Sequence, residues 1–240
     1  MNGLPDATLE PTGYLAAQVG EVRRRLDAAC AAAGRDPASV TILPVSKTFD
    51  ANLIRAAVEL GMHRFGENKT QEVREKAPAL ADCQIEWVII GHLQTNKAKD
   101  VARLVSEVQS LDRVDLAEAL HRRLQQEGRV IDALVQVKTS GEPSKFGLPP
   151  AQLPEFLELL RSYDTLRVRG LMTMATNSPD DAEVRRCFTL LRELRDQNAL
   201  RGHDLPRLSM GMSGDFPLAV AEGATEIRVG SAIFGRRPAA

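Results

Sequence analysis

An apolar, β-rich run followed by a helical pattern recurs about eight times between Val40 and Phe234, and this alternation constrains the fold more than any other feature of the chain. Short apolar runs mark the strands, and apolar residues spaced three and four apart mark the helices. A leading amphipathic helix is expected over residues 12–33, with Leu15, Val19, Val22 and Leu26 on one stripe and Gly34 as its stop. Strands are then expected at 40–46, 63–65, 85–90, 107–111, 131–138, 166–174, 207–210 and 226–229. Helices follow them at 50–60, 70–75, 95–105, 114–126, 150–162, 180–198, 216–222 and 231–234.

Eight strand-helix units close naturally into an α/β fold, a (β/α)8 TIM barrel, and 240 residues is a length typical of it. No linker rich in Pro, Gly or Ser interrupts the rhythm. The expected organisation is therefore an N-terminal tail at 1–11 and a single barrel domain over 12–240. An open doubly wound sheet would want G-x-G-x-x-G after its first strand, and none is there. Pro44 falls inside the first strand, where proline removes a ladder donor, so that strand should be irregular.

Composition excludes several functions. Lys+Arg 31 against Asp+Glu 32 leaves a net charge of -1, which supplies no basic field for nucleic acid or an anionic membrane. Cys30, Cys83 and Cys187 are odd in number and far apart, and His63, His92, His121 and His203 lack metal-binding spacing. Neither a disulfide framework nor a metal site is expected. No apolar run approaches the ~18 residues that span a bilayer, and the first residues lack a signal pattern, so the expected location is the cytoplasm.

On a barrel of this kind, chemistry gathers at the C-terminal ends of the strands. Lys47 directly follows the first strand, and period-two alternation puts it on one face with Leu43 and Val45. If that face is the interior, the amine sits among apolar walls, where a lysine loses its proton readily and can form a Schiff base; otherwise it is a solvated loop residue. Ser209-Met-Gly-Met-Ser-Gly-Asp215 and Arg228-Val-Gly-Ser231 follow strands seven and eight. Gly and Ser there suit either plain turns or the phosphate site this fold commonly builds from those two loops. Arg228 alternates with Ile227 and Val229, which sends it into the barrel; a buried guanidinium needs a partner, such as Glu226 or another interior acid. Asn68 can orient a polar ligand or cap a turn, and Met172, Met174, Met210 and Met212 can wall an aromatic ligand or simply fill the core.

Six stretches in order, Leu43-Pro-Val-Ser-Lys47, Phe65-Gly-Glu-Asn68, Ile90-Gly-His-Leu-Gln-Thr-Asn-Lys97, Gly170-Leu-Met172, Ser209-Met-Gly-Met-Ser213 and Ile227-Arg-Val-Gly-Ser231, carry a family resemblance. The chain resembles the pyridoxal 5'-phosphate (PLP) homeostasis proteins, the YggS/PROSC-type group related to the N-terminal barrel of alanine racemase. The resemblance implies PLP as cofactor, Lys47 as the Schiff-base lysine, and Ser213, Gly214, Gly230 and Ser231 as its phosphate cup. It likewise implies Arg228 opposite the pyridine nitrogen, with Asn68 and Met212 touching the cofactor. Lys69-Thr70 and the loop Gly141-Glu-Pro-Ser-Lys145 depart from the family pattern, away from the lysine and the cup.

A cationic arginine at the pyridine nitrogen disfavours the protonation that makes PLP a strong electron sink. Racemisation also wants an acid/base group on each ring face, and the resemblance implies that alanine racemase takes one of these from a second domain for which this chain has no room. The leading expectation is a monomeric carrier that delivers PLP to apo PLP-dependent enzymes without efficient catalysis. One alternative is a PLP-dependent racemase or lyase drawing an acid from Tyr14, Tyr163, His92 or a loop cysteine; another is a class I aldolase in which Lys47 attacks a substrate carbonyl. Lys97, Lys138 and Lys145 are placed near the mouth, either to guide an anionic phosphate ester or as ordinary surface lysines.

Overall fold

The structure is a computed structural model and describes residues 11–235. Of the tail expected at 1–11, residues 1–10 lie outside that range, and Pro11 opens helix α1 (Pro11–Ala32). The strands are β1 (Thr41–Pro44), β2 (Arg64–Glu67), β3 (Glu86–Ile89), β4 (Glu107–Leu111), β5 (Ile131–Gln136), β6 (Leu166–Met172), β7 (Arg207–Ser209) and β8 (Glu226–Val229). They pair in parallel as one eight-stranded sheet in the order β1-β8-β7-β6-β5-β4-β3-β2. Its two ends meet at a bridge between Val45 and Gly66, with Ser46 N donating to Gly66 O at 3.1 Å. The sheet is thus a TIM barrel with a leading helix, as the eightfold rhythm implies.

Pro44 explains why that seam is thin. Thr41 N and Val45 N donate to Thr225 O and Val229 O on the β8 side, so the even-numbered positions face β2. Proline has no N–H to give there, and the β1–β2 ladder reduces to its single bridge. The strand is irregular where the sequence says it should be.

The helices between strands are α2 (Ala51–Glu59), α3 (Thr70–Lys76), α4 (Ala98–Leu104), α5 (Val114–Glu127), α6 (Leu153–Leu160), α7 (Asp181–Ala199), α8 (Phe216–Ala221) and α9 (Ser231–Phe234). Asp50 caps α2 by accepting from Leu53 N, and Asp180 caps α7 by accepting from Ala182 N. Two expected helices begin as 3-10 turns, Thr95–Lys97 and Pro150–Gln152, and an unexpected 3-10 segment, Ala77–Cys83, follows α3. β5 stops at Gln136, short of the expected 138, because Lys138 N turns to Leu148 O.

The main core lies between strands and helices, while Leu43, Val45, Val88 and Ile90 form a separate apolar cluster. At the N-terminal ends of the strands, buried Glu107 and Glu226 are each paired with Arg64 and Arg207, and Gln109 Nε2 donates to both carboxylates. This polar layer closes the floor and leaves the opposite end for a ligand. Among the described residues, no helix is long and apolar enough to cross a membrane.

Candidate functional site

A cavity of ≈ 580 Å³ opens at the C-terminal ends of the strands. Lys47, Asn68, Met212, Ser213, Gly214, Arg228, Gly230 and Ser231, which come from four separate strand ends, all line it. Val45, Ile90 and Met174 give it an apolar side. Met174 and Met212 therefore face the cavity, whereas Met172 and Met210 are fully buried core.

Arg228 is 4% exposed. Its Nη1 donates to Ser209 Oγ at 2.8 Å and its Nη2 to Thr173 O at 2.7 Å. The alternative of an internal ion pair with Glu226 is not realised, because both Glu226 oxygens are taken up at the floor by Gln109, Arg64 and Arg207. Burial pushes the guanidinium down to about 10, still cationic at neutral pH, with Glu226 and Asp215 acting against that shift from a distance.

The two glycine loops meet beside Lys47. Gly211 has φ +94°, and a Cβ there would lie 2.7 Å from Ala219 Cβ, so only glycine makes the turn into Met212-Ser213-Gly214. Asp215 Oδ1 accepts from Met212 N at 2.5 Å, and Arg25 on α1 donates to Ser213 O at 2.9 Å, holding the loop from outside the barrel. A Cβ on Gly230 would come within 3.2 Å of Val45 O, so the second loop packs closely on the end of β1.

Several expected participants stand elsewhere. Tyr163 packs against His121, Cys30 and Cys83 are buried, and Cys187 donates to Thr139 O. None of these lines the cavity, and neither does Tyr14, Lys97, Lys138 or Lys145. Of the acids considered for turnover, His92 is the one that lines it, stacked on Phe146 at 3.9 Å between ring centroids. Phe146 carried no local signal, since a lone aromatic in a loop shows no periodicity. Glu67 was also missed: it is fully buried beside Ser46 and Lys76, and burial raises its carboxyl to about 7 even though Lys76 pulls the other way.

Residues 19–238 match the family model of the alanine racemase N-terminal domain. The pyridoxal phosphate homeostasis protein of Aquifex aeolicus is 40% identical over 222 residues, covering 92% of this chain and 97% of that protein. The chain belongs to the pyridoxal phosphate homeostasis protein family. A solved structure of PipY from Synechococcus elongatus with PLP bound is 36% identical, has a TM-score of 0.81, and covers 92% of this chain and all of that one (100%). An alanine racemase from Clostridium difficile shares the fold at TM-score 0.73 and 11% identity, covering 94% of this chain and 57% of that one. The barrel of this homeostasis family member thus superposes on a part of the longer racemase chain.

Proposed function

We propose that the cavity holds PLP and that the protein carries the cofactor and delivers it to apo PLP-dependent enzymes. The observation that carries this reading is the meeting of Lys47, the buried cation Arg228 and the Ser213–Gly214 and Gly230–Ser231 loops around one cavity. The residues fit the group. The apolar side formed by Val45, Ile90 and Met174 suits an aromatic ring, and two glycine-containing loops suit a phosphate. The solved PipY structure with PLP bound supports the same ligand.

In this reading Lys47 Nζ forms a C=N bond to the aldehyde carbon of PLP with loss of water, as a Schiff base. Ser213, Gly214, Gly230 and Ser231 hold the phosphate, Arg228 faces the pyridine nitrogen, and Asn68 and Met212 touch the ring or its substituents. When bound, PLP supplies an electron sink for amino-acid chemistry. Arg228 keeps its charge at neutral pH, disfavours a protonated ring nitrogen, and so biases the site toward carriage over turnover. The reading takes residues 12–240 as one PLP-binding domain that acts as a monomer in the cytoplasm; light scattering with and without PLP checks the monomer.

Purified protein titrated with PLP should show the visible band of a Schiff base, and Lys47→Ala should abolish it. A parent protein that ignores added PLP overturns the reading. Racemase or lyase activity is favoured instead if amino-acid turnover well above that of free PLP disappears in His92→Ala. Borohydride reduction followed by mass spectrometry separates both from an aldolase, because the adduct mass names the carbonyl compound.

A further inference from the structure

Thr48, the residue after Lys47, has φ +71°, a left-handed conformation that β-branched residues avoid. Backbone strain of this kind persists only where the surroundings enforce it, and it concentrates at functional sites. Here the enforcement is visible: Thr48 N donates to Glu72 Oε2 at 2.6 Å.

Ser46, on the other side of Lys47, is held as firmly. Its Oγ donates to Glu67 Oε1 at 2.7 Å, and its carbonyl accepts from Lys76 Nζ at 3.0 Å. Lys76 Nζ also donates to Glu67 Oε1 at 2.8 Å and to Glu72 Oε2 at 2.9 Å, which uses all three of its protons. Two carboxyl groups and one ammonium, carried by β2 and α3, therefore grip the backbone immediately before and after Lys47. None of the three lines the cavity.

A buried ion cluster is poor evidence for stability, since apolar residues of similar size often serve as well. This one also holds Glu67 so deeply buried that desolvation raises its carboxyl to about 7 despite Lys76. A cluster that is costly for folding and aimed at the two neighbours of the Schiff-base lysine calls for a functional account. We propose that Glu67, Glu72 and Lys76 are positioning residues for Lys47, fixing Ser46 and Thr48 so that the intervening side chain is presented to the cavity. The inference rests on the reading of Lys47 as the residue that condenses with PLP.

Pyridoxamine 5'-phosphate separates positioning from general support. It carries an amine in place of the aldehyde, so it fills the same phosphate cup but cannot condense with Lys47. The ratio of PLP to pyridoxamine phosphate affinity measures what Lys47 contributes. Both affinities are to be measured on the full chain for the parent, Lys47→Ala, Glu72→Gln, Lys76→Met and the double variant Glu67→Gln with Lys76→Met, which removes the buried Glu67–Lys76 pair together and leaves the partly exposed Glu72 bonded to Thr48 N. Glu72→Gln and the double variant should weaken PLP about tenfold, or about 1.4 kcal/mol, and leave pyridoxamine phosphate within about twofold. Adding Thr48→Gly to Glu72→Gln should restore part of the ratio, because glycine enters the left-handed region without strain.

Variants that weaken both ligands equally, or neither, overturn the positioning role. A parent whose high ratio is lost in Lys47→Ala but kept in every cluster variant overturns the positioning role alone. A parent that binds no PLP overturns the cofactor reading and this inference with it.

Discussion

Arg228 Nη1 donates to Ser209 Oγ at 2.8 Å, and Ser209 Oγ donates to Gln109 Oε1 at 2.7 Å. Gln109 in turn donates to Glu107 and Glu226, so a chain of neutral groups links the cation at the mouth to the ionic floor of the barrel. Among the described residues, no carboxylate lies within ion-pair distance of Arg228.

That arrangement is unfavourable for folding and useful for binding. Burial lowers the folded guanidinium to about 10, well below its range in the unfolded chain, so the buried charge opposes folding at every pH below that window. The difference corresponds to about 3 kcal/mol as an upper bound. Arg228→Gln keeps a donor for Ser209 or Thr173 and removes the charge. Its ligand-free Tm should therefore equal or exceed the parent's, by up to roughly 8 °C, while its PLP affinity falls. Differential scanning fluorimetry with and without PLP checks both halves; a lower ligand-free Tm together with unchanged affinity would contradict them.

Glu67 makes stability depend on pH in an identifiable window. Its carboxyl ionises near 4.5 when unfolded and near 7 when folded, burial outweighing Lys76. Between these values the folded chain holds the extra proton, so the contribution is fully present below 4.5 and is lost as pH rises through 7. The full span is about 3 kcal/mol. Asp215, raised by burial, acts with the same sign, whereas Glu226, where Arg64 and Arg207 outweigh burial, acts with the opposite sign at more acid pH. In urea titrations, the loss of unfolding free energy between about pH 5 and pH 8 should shrink in Glu67→Gln by an amount of this order. An unchanged pH slope would mean that Glu67 does not titrate there.

Arg25 ties α1 to the phosphate cup. Besides its bond to Ser213 O, its guanidinium sits 4.7 Å from the centroid of the Phe216 ring. One hydrogen bond and one cation–π contact together are worth about 1–2 kcal/mol, so Arg25→Ala should weaken PLP binding roughly 5- to 30-fold. Pyridoxal, which lacks the phosphate, should bind the variant as it binds the parent. Isothermal titration with both vitamers decides the matter, and an equal loss for the two would place Arg25 outside the control of the cup.

Much of this was legible in the sequence, for a physical reason. Strand and helix periods are local, so β4 and β8 fall at their expected residues and α1 stops just before Gly34, which takes a positive φ. The cavity residues were legible because the barrel sends every strand end to one rim, so Lys47 and Arg228 could be placed together without knowing any contact between them. The grip on Lys47 was not legible. Lys76 and Glu72 lie on a short polar helix that reads as a solvated surface, and only the packing of α3 against the end of β1 brings them to Ser46 and Thr48. The floor was hidden for the same reason: Arg64, Glu107, Arg207 and Glu226 each open a different strand and meet only on closure.

A pair of stacked rings lines one side of the cavity. His92 follows β3 and Phe146 lies in the loop after β5, and the two stack at 3.9 Å and 17° although Phe146 is 51% exposed. The backbone beneath Phe146 is fixed: its carbonyl accepts from Gln136 Nε2 at 2.9 Å, and Gly147 turns at φ +136° where a Cβ would meet Lys138 N at 2.7 Å. A fixed backbone under an exposed ring gives a side chain that can leave its partner without moving the loop. Separating such a pair costs about 0.5–1.5 kcal/mol, so Phe146→Ala should release PLP roughly 2- to 12-fold faster while association changes little. Stopped-flow transfer to an apo-enzyme measures the rate. The neighbouring Lys145, which does not line the cavity, should affect transfer only through its charge, and Lys145→Ala should differ from the parent less as salt is raised. If Phe146→Ala releases at the parental rate while Lys145→Ala slows transfer, the exit is steered by charge and the ring pair is not its barrier.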